Sequence, residues 1–125
     1  MAGKMTEKKV LVIDDEDFIR DLVKDFLELD GIQCEGADNP DIAIELVSKM
    51  DFNLILLDRN LGKIKAEDFI AKIKEIRRHI PILILTGDQH CDNNYIKGIG
   101  ADGLIYKPFQ VSEFMECIRH YLEMK

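Results

Sequence analysis

The chain has 125 residues, 46% of them apolar and 33% charged, which suits one domain with a buried core. No apolar stretch approaches the roughly 18 residues of a membrane span, and the net charge of −7 works against binding a phosphate backbone. Cys34, Cys91 and Cys117 are far apart with no Cys-x-x-Cys pair, which argues against a disulfide framework or zinc site and for a reducing cytoplasm.

The start, MAGKMTEKK, is positively charged but is followed by neither a long apolar segment nor a small-residue cleavage site, so it does not read as a secretory leader. Residues 1–8 are expected to be disordered or carried over from an expression vector, and a single domain to cover 9–125. Lys9 to Ile13 (KVLVI) predicts a first strand, and Phe18, Ile19, Leu22, Val23, Phe26 and Leu27 then recur at helical spacing, with Gly31 as a stop. Gln33 to Ala37 predicts a short second strand. Asn39-Pro40 reads as an N-cap followed by the proline tolerated in a first helical turn, and Ile42, Ala43, Leu46, Val47 and Met50 supply the apolar face behind it.

Leu54 to Leu57 predicts strand three, and Phe69, Ile70, Ile73, Ile76 and Ile80 mark a third helix before Pro81 interrupts. The basic residues Lys72, Lys74, Arg77 and Arg78 read as the solvated face of that helix rather than a nucleic-acid patch. Ile82 to Leu85 predicts strand four. The next helix has only Tyr95, Ile96 and Ile99 as a stripe, and Asn93-Asn94 are poor helix formers, so a short or mobile helix is expected. His90-Cys91 has no second ligand pair at metal spacing. Leu104 to Tyr106 predicts strand five, and Val111, Phe114, Met115, Ile118, Tyr121 and Leu122 a final amphipathic helix. Five strands alternating with five helices require a parallel sheet with helices on both faces, joined by right-handed crossovers.

In such doubly wound α/β sheets, ligands bind outside the carboxyl ends of the strands. The polar residues fall there: strand one runs into Asp14, Asp15, Glu16 and Asp17, strand three into Asp58, strand four into Thr86, and strand five into Lys107. Two carboxylates about 4 Å apart repel by roughly 4 kcal/mol even at an effective dielectric of 20. Lys107 neutralises one unit, and a hard cation with oxygen ligands, which is the chemistry of magnesium, is expected to neutralise the rest through Asp14 and Asp15. Glu16 and Asp17 read instead as carboxylates favouring the start of helix one. A carboxylate beside a cation, a lysine and a hydroxyl suits nucleophilic attack on phosphorus, with Lys107 and Thr86 meeting charge on the transferred group. Gly87 either leaves room for a phosphoryl group to approach the backbone or is a turn glycine.

The set of Asp14-Asp15 in "VLVIDDE", Asp58 in "LILLDRNL", Thr86 in "ILILTG" and Lys107 in "GADGLIYKPF" resembles the response-regulator receiver domains of the CheY-like family, over about Lys9 to Lys125. The resemblance implies a flavodoxin-like (CheY-like) five-stranded sheet of order 2-1-3-4-5 in two-component, phosphorelay signalling of the bacterial kind. It further implies Asp58 as phosphoacceptor, Asp15 as a direct magnesium ligand, Asp14 acting largely through water, and the backbone carbonyl of Asn60 as a further ligand. By the same resemblance, Asn60 and Gly87 offer backbone contacts to the phosphoryl group, Thr86 is the switch hydroxyl, Lys107 is the ion-pair partner, and the Lys107-Pro108 bond is cis.

Some positions depart from that pattern. Gly62 stands where a proline is common and Ala66 where a glycine is frequent, which implies a looser loop after strand three. Leu104 takes the place of the usual switch aromatic, and Tyr106 should point to the opposite side of the strand from Lys107, which disfavours a rotating-tyrosine switch. A flavin or nucleotide module would need a phosphate-cradling loop after strand one, where DDED offers carboxylates. A receiver-like interaction domain that is never phosphorylated is the other alternative.

The partners expected are a sensor histidine kinase or phosphotransfer protein, and an output domain, partner or second copy meeting helix four, strand five and helix five. No DNA binding by this chain is expected. The chain reads as a stand-alone receiver or a portion of a longer regulator or hybrid kinase.

Overall fold

The apolar runs have no polar face to offer water, so only a sheet covered on both sides can bury them. The computed structural model describes residues 7–123. In it β1 (Lys9–Ile13), β2 (Gln33–Ala37), β3 (Leu54–Asp58), β4 (Ile82–Thr86) and β5 (Gly103–Tyr106) alternate with α1 (Asp17–Glu28), α2 (Pro40–Lys49), α3 (Ala66–Ile76), α4 (Asn93–Ile99) and α5 (Val111–Leu122). All neighbouring strands pair in parallel, in the order β2-β1-β3-β4-β5. This is the doubly wound, CheY-like arrangement. Of the tail expected at 1–8, residues 1–6 lie outside the described residues, and the Lys8 carbonyl already accepts a hydrogen bond from Gln33 N at 3.0 Å.

Strand side chains alternate between the two faces, and this divides the core in two. Leu11, Ile13, Ile55, Leu57, Ile82 and Ile84 pack under α2, α3 and α4, while Val10, Val12, Leu54, Leu56, Leu83 and Leu85 pack under α1 and α5. On the second face the rings of Phe109 and Phe114 stack with centroids 4.8 Å apart and Phe26 of α1 meets both, which ties α5 to α1.

Local signals explain most helix ends. The Asn39 side chain accepts from Ile42 N at 2.9 Å, and Pro40 occupies the first turn, where its missing N–H costs nothing. Asn39→Ala should therefore lower stability by about 1 kcal/mol and the thermal midpoint by about 4 °C in calorimetry. An unchanged midpoint would show that Pro40 alone fixes this turn.

The weakly patterned α4 forms as a seven-residue helix because it is capped at both ends. Asp92 accepts from Tyr95 N at 2.9 Å, and Gly100 closes the helix at φ 92°, a backbone state that costs glycine little.

The end of the third helix and several apolar-face positions need correction. The third helix stops at Ile76, because Arg77 leaves the helical region at φ −134°, ψ 90°. Ile80 is buried beyond it as a turn residue rather than as part of the helical stripe. Phe18, expected on the apolar face of α1, is 70% exposed, since it lies about 100° round the helix from the buried line Ile19, Val23 and Leu27. Ile42 is likewise exposed beside the buried pair Ala43 and Val47 of α2, as are Tyr95 beside the buried Ile96 of α4 and Val111 at the start of α5.

Candidate functional site at the carboxyl ends of the strands

The alternation that sorts the core also sorts the polar rim. Asp58 closes β3 in phase with Leu54 and Leu56, on the α1 and α5 face, and Thr86 closes β4 in phase with Ile82 and Ile84, on the opposite face. Asp14, Asp58 and Thr86 are all buried, at 0%, 6% and 2% exposure, and they are the buried polar or charged side chains among the described residues. An apolar sheet that ends in buried polar groups concentrates unusual chemistry at this edge.

Lys107 gathers the acids. Its Nζ lies 3.0 Å from Asp14 Oδ2, 3.5 Å from Asp58 Oδ1 and 3.6 Å from Glu16 Oε2. Its backbone N–H donates to the Thr86 carbonyl at 2.7 Å, and the next peptide bond, Lys107–Pro108, is cis. Burial opposes the lysine charge, but the hydrogen bond to Asp14 and the charge of Asp58 more than offset it, so Lys107 holds its proton more tightly than usual. Asp58 moves the other way for an acid: burial and the Asp14 charge push it up to about 6, against the pull of Lys107 and of the Asn60 N–H, 3.3 Å from Asp58 Oδ1.

Asp15 is exposed and, with Asp14 and Glu16, can offer oxygens that all lie within 4.8 Å of one another. Glu16 thus joins the acidic group instead of serving only the start of α1, while Asp17 pairs with Arg20. The backbone holds this turn in place: Glu16 N donates to Asp14 Oδ1 at 2.9 Å, and Arg20 Nη1 donates to the Asp14 carbonyl at 2.6 Å. Four carboxylates, from Asp14, Asp15, Glu16 and Asp58, face one ammonium here. That all-oxygen, charge-surplus donor set fits a hard divalent cation.

On the other face, Thr86 Oγ1 accepts from the Asp88 N–H at 3.0 Å, and Gly87 between them is exposed with open space where a Cβ would stand. Two residues in this region, Arg59 and Asp88, were not singled out in sequence. Arg59, next after Asp58, pairs with Asp88 at 2.6 Å and lies over the Tyr95 ring of α4 at 4.9 Å. Tyr106, in phase with Leu104 and away from Lys107 as the alternation predicts, donates its hydroxyl to the Cys91 carbonyl at 2.6 Å. Only the adjacency of Arg59 to Asp58 was visible in sequence as a signal for these contacts. In the loop after β3, Gly62 adopts φ 69° and Leu61 is buried.

The family model described as the response regulator receiver domain matches residues 10–119. Sporulation initiation phosphotransferase F of Bacillus subtilis is 29% identical over 122 residues, which is 97% of this chain and 98% of that protein. Transcriptional regulatory protein SrrA of Staphylococcus aureus is 35% identical over 116 residues, 91% of this chain, and this chain spans only 47% of its length. Among solved structures, chemotaxis response regulator CheY4 of Vibrio cholerae superposes with a TM-score of 0.84 at 26% identity, covering 92% of this chain and 98% of that one. A CheY-like receiver domain protein from Methanospirillum hungatei gives 0.84 at 27% identity, covering 94% of each. The strand order, the buried acids at the strand ends and a family match over most of the chain agree, and the chain belongs to the response-regulator receiver domain family of two-component signalling.

Proposed function

We propose that this receiver domain accepts a phosphoryl group on Asp58 from a phosphohistidine donor, or from a small donor such as acetyl phosphate. The observation that carries the reading is the Asp58 carboxylate, 6% exposed at the end of β3 with Lys107 Nζ at 3.5 Å and an acidic group alongside. A carboxylate oxygen of Asp58 bonds to phosphorus as the bond from phosphorus to the donor nitrogen or oxygen breaks, and the electron pair leaves with the donor. Lys107 faces the charge on the transferred oxygens, the Thr86 hydroxyl turns toward one of them, and the backbone N–H groups at Asn60 and Gly87 offer further contacts. Asp14 (largely through water), Asp15, Asp58 and the carbonyl of Asn60 would hold magnesium, which when bound supplies positive charge beside the phosphoryl oxygens. The chain then acts on no substrate other than itself, catalysing phosphorylation and dephosphorylation at Asp58.

The partners follow from this chemistry. A sensor histidine kinase or phosphotransfer protein is the donor, and an output domain, a separate partner or a second copy meets the face of α4, β5 and α5. A cytoplasmic setting suits such partners. No helix among the described residues is long and apolar enough to cross a membrane, and the net charge of −7 disfavours DNA as a direct ligand.

Intact-mass measurement after incubation with acetyl phosphate and magnesium should show one added phosphoryl group, lost on chelation of the cation and in Asp58→Asn. Asp15→Ala should bind magnesium about tenfold more weakly in a cation titration. Equal labelling of Asp58→Asn would move the phosphoryl group elsewhere. No labelling of the parent chain would favour an interaction domain that works without phosphorylation.

A further inference from the structure

Two loops that meet at the rim are joined by a side chain that the proposed phosphoryl chemistry does not use. Arg59 follows Asp58 directly, yet among the carboxylates of the region it is paired with Asp88, not with the acidic group. Its Nη1 is 2.6 Å from Asp88 Oδ2, and its Cζ is 4.9 Å from the centroid of the Tyr95 ring in the first turn of α4. The arginine side chain is 27% exposed and that of Asp88 38%, so the pair is partly shielded from water.

Asp88 is engaged through its N–H, its carboxylate and its carbonyl. Its N–H donates to Thr86 Oγ1 at 3.0 Å, its Oδ1 accepts from His90 N at 2.9 Å, and its carbonyl accepts from Cys91 N at 3.1 Å. One residue therefore holds the Thr86 hydroxyl by its backbone and the Arg59 guanidinium by its side chain. The loop is pinned again at its far end, where Tyr106 donates to the Cys91 carbonyl, Cys91 is 2% exposed, and Asp92 caps α4.

We propose that Arg59 is a positioning residue that holds the segment from Gly87 to Tyr95 in its resting arrangement and so sets how readily Thr86 can turn toward a phosphoryl group on Asp58. This rests on the phosphoacceptor reading above. For Thr86 Oγ1 to serve a phosphoryl oxygen it must either give up the Asp88 N–H or carry Asp88 with it. Carrying Asp88 stretches a charge-assisted bond of 2.6 Å and pulls Arg59 off the Tyr95 ring. A single guanidinium thus opposes the hydroxyl's movement and links it to α4, with two arrangements whose balance Arg59 biases. Lysine would keep the charge but lose the planar overlap with the ring.

The test uses the whole chain with magnesium and beryllofluoride, a phosphoryl mimic, and compares Arg59→Ala, Asp88→Asn, the double variant and Arg59→Lys with the parent. Backbone amide shifts give the half-saturating beryllofluoride concentration, and hydrogen exchange of the free protein reports on residues 87–96. Both single variants should speed exchange there and lower the half-saturating concentration about fivefold, a modest coupling on the usual scale. The double variant should go no further than either single one, because both remove the same link, and Arg59→Lys should fall between. A merely structural role would shift thermal midpoints without this change in half-saturation. Unchanged exchange and unchanged half-saturation in both single variants, or weaker beryllofluoride binding, would overturn the proposal. If the parent does not bind beryllofluoride at all, the phosphoacceptor reading fails. In that event the exchange comparison alone decides the proposal: faster exchange at 87–96 supports the hold on the loop, and unchanged exchange removes it.

Discussion

Lys107→Met is expected to lower the stability of the metal-free protein by about 3 kcal/mol at pH 8, and by much less at pH 5. Among the described residues, Lys107 is the one ammonium in contact with two buried carboxylates, Asp14 at 0% and Asp58 at 6% exposure. Methionine preserves the volume and leaves those carboxylates without a counter-charge, the costly way to break a buried ion pair.

The pH dependence follows from Asp58, whose acidity in the folded chain is shifted up to about 6 by burial and by Asp14. A group whose folded pKa lies above its unfolded value binds its proton more tightly when folded. Its contribution is present in full below the unfolded value, about 4 for an aspartate, and is lost as pH rises through 6. Charged Asp58 therefore costs stability at pH 8, and Lys107 offsets part of that cost. Without the lysine the carboxyl is pushed further up, so the deficit grows above pH 6 and shrinks below it.

Urea unfolding in the presence of a chelator, at pH 5 and pH 8, measures both arms. The companion variant Asp58→Asn should show the opposite sign, gaining roughly 2 kcal/mol at pH 8 because the buried charge is gone. Equal losses for Lys107→Met at the two pH values would mean that the lysine acts through Asp14 or through packing, not through Asp58.

Gly103→Ala is expected to cost about 2 kcal/mol, although it adds one methyl group to a strand residue with no unusual backbone angle. A Cβ there would stand 2.5 Å from Tyr121 Oη and 2.6 Å from Leu83 Cδ2. Tyr121 can swing only by giving up its hydrogen bond to the Asp102 carbonyl at 3.1 Å, and Leu83 is fully buried in β4 with nowhere to go. Both neighbours resist, so β5 and α5 must separate slightly.

Leu83→Val removes the obstructing terminal carbons and by itself should cost about 1 kcal/mol. Combined with Gly103→Ala it should recover roughly half of the glycine variant's loss, so a double-mutant cycle should show clear coupling. Additive losses would place the strain elsewhere, with Tyr121 as the remaining candidate.

Much of this protein was written locally. The runs around Leu11, Leu56 and Leu83, apolar at every position, can lie only inside a sheet covered on both faces, and their alternation with helical stripes leaves a parallel, doubly wound arrangement. Asn39-Pro40 marks its helix start because the cap and the proline act within one turn. Asp14, Asp58, Thr86 and Lys107 could be grouped in advance, since each ends a strand and parallel strands bring their carboxyl ends to one edge.

Other features were settled only when distant segments met. Lys107 and Asp14 are 93 residues apart, and their 3.0 Å contact depends on the register of three strand pairings. The stripe of α3 extended in sequence to Ile80, but the backbone turned at Arg77, where the chain must reverse to enter β4. Arg59 on Asp88 and Tyr95, and Tyr106 on the Cys91 carbonyl, join loops whose partners no periodicity encodes. Periodicity fixes the face on which a residue lies, because it is a property of one helix or strand. Which residue waits opposite is set by register and loop path, and those belong to the assembled sheet.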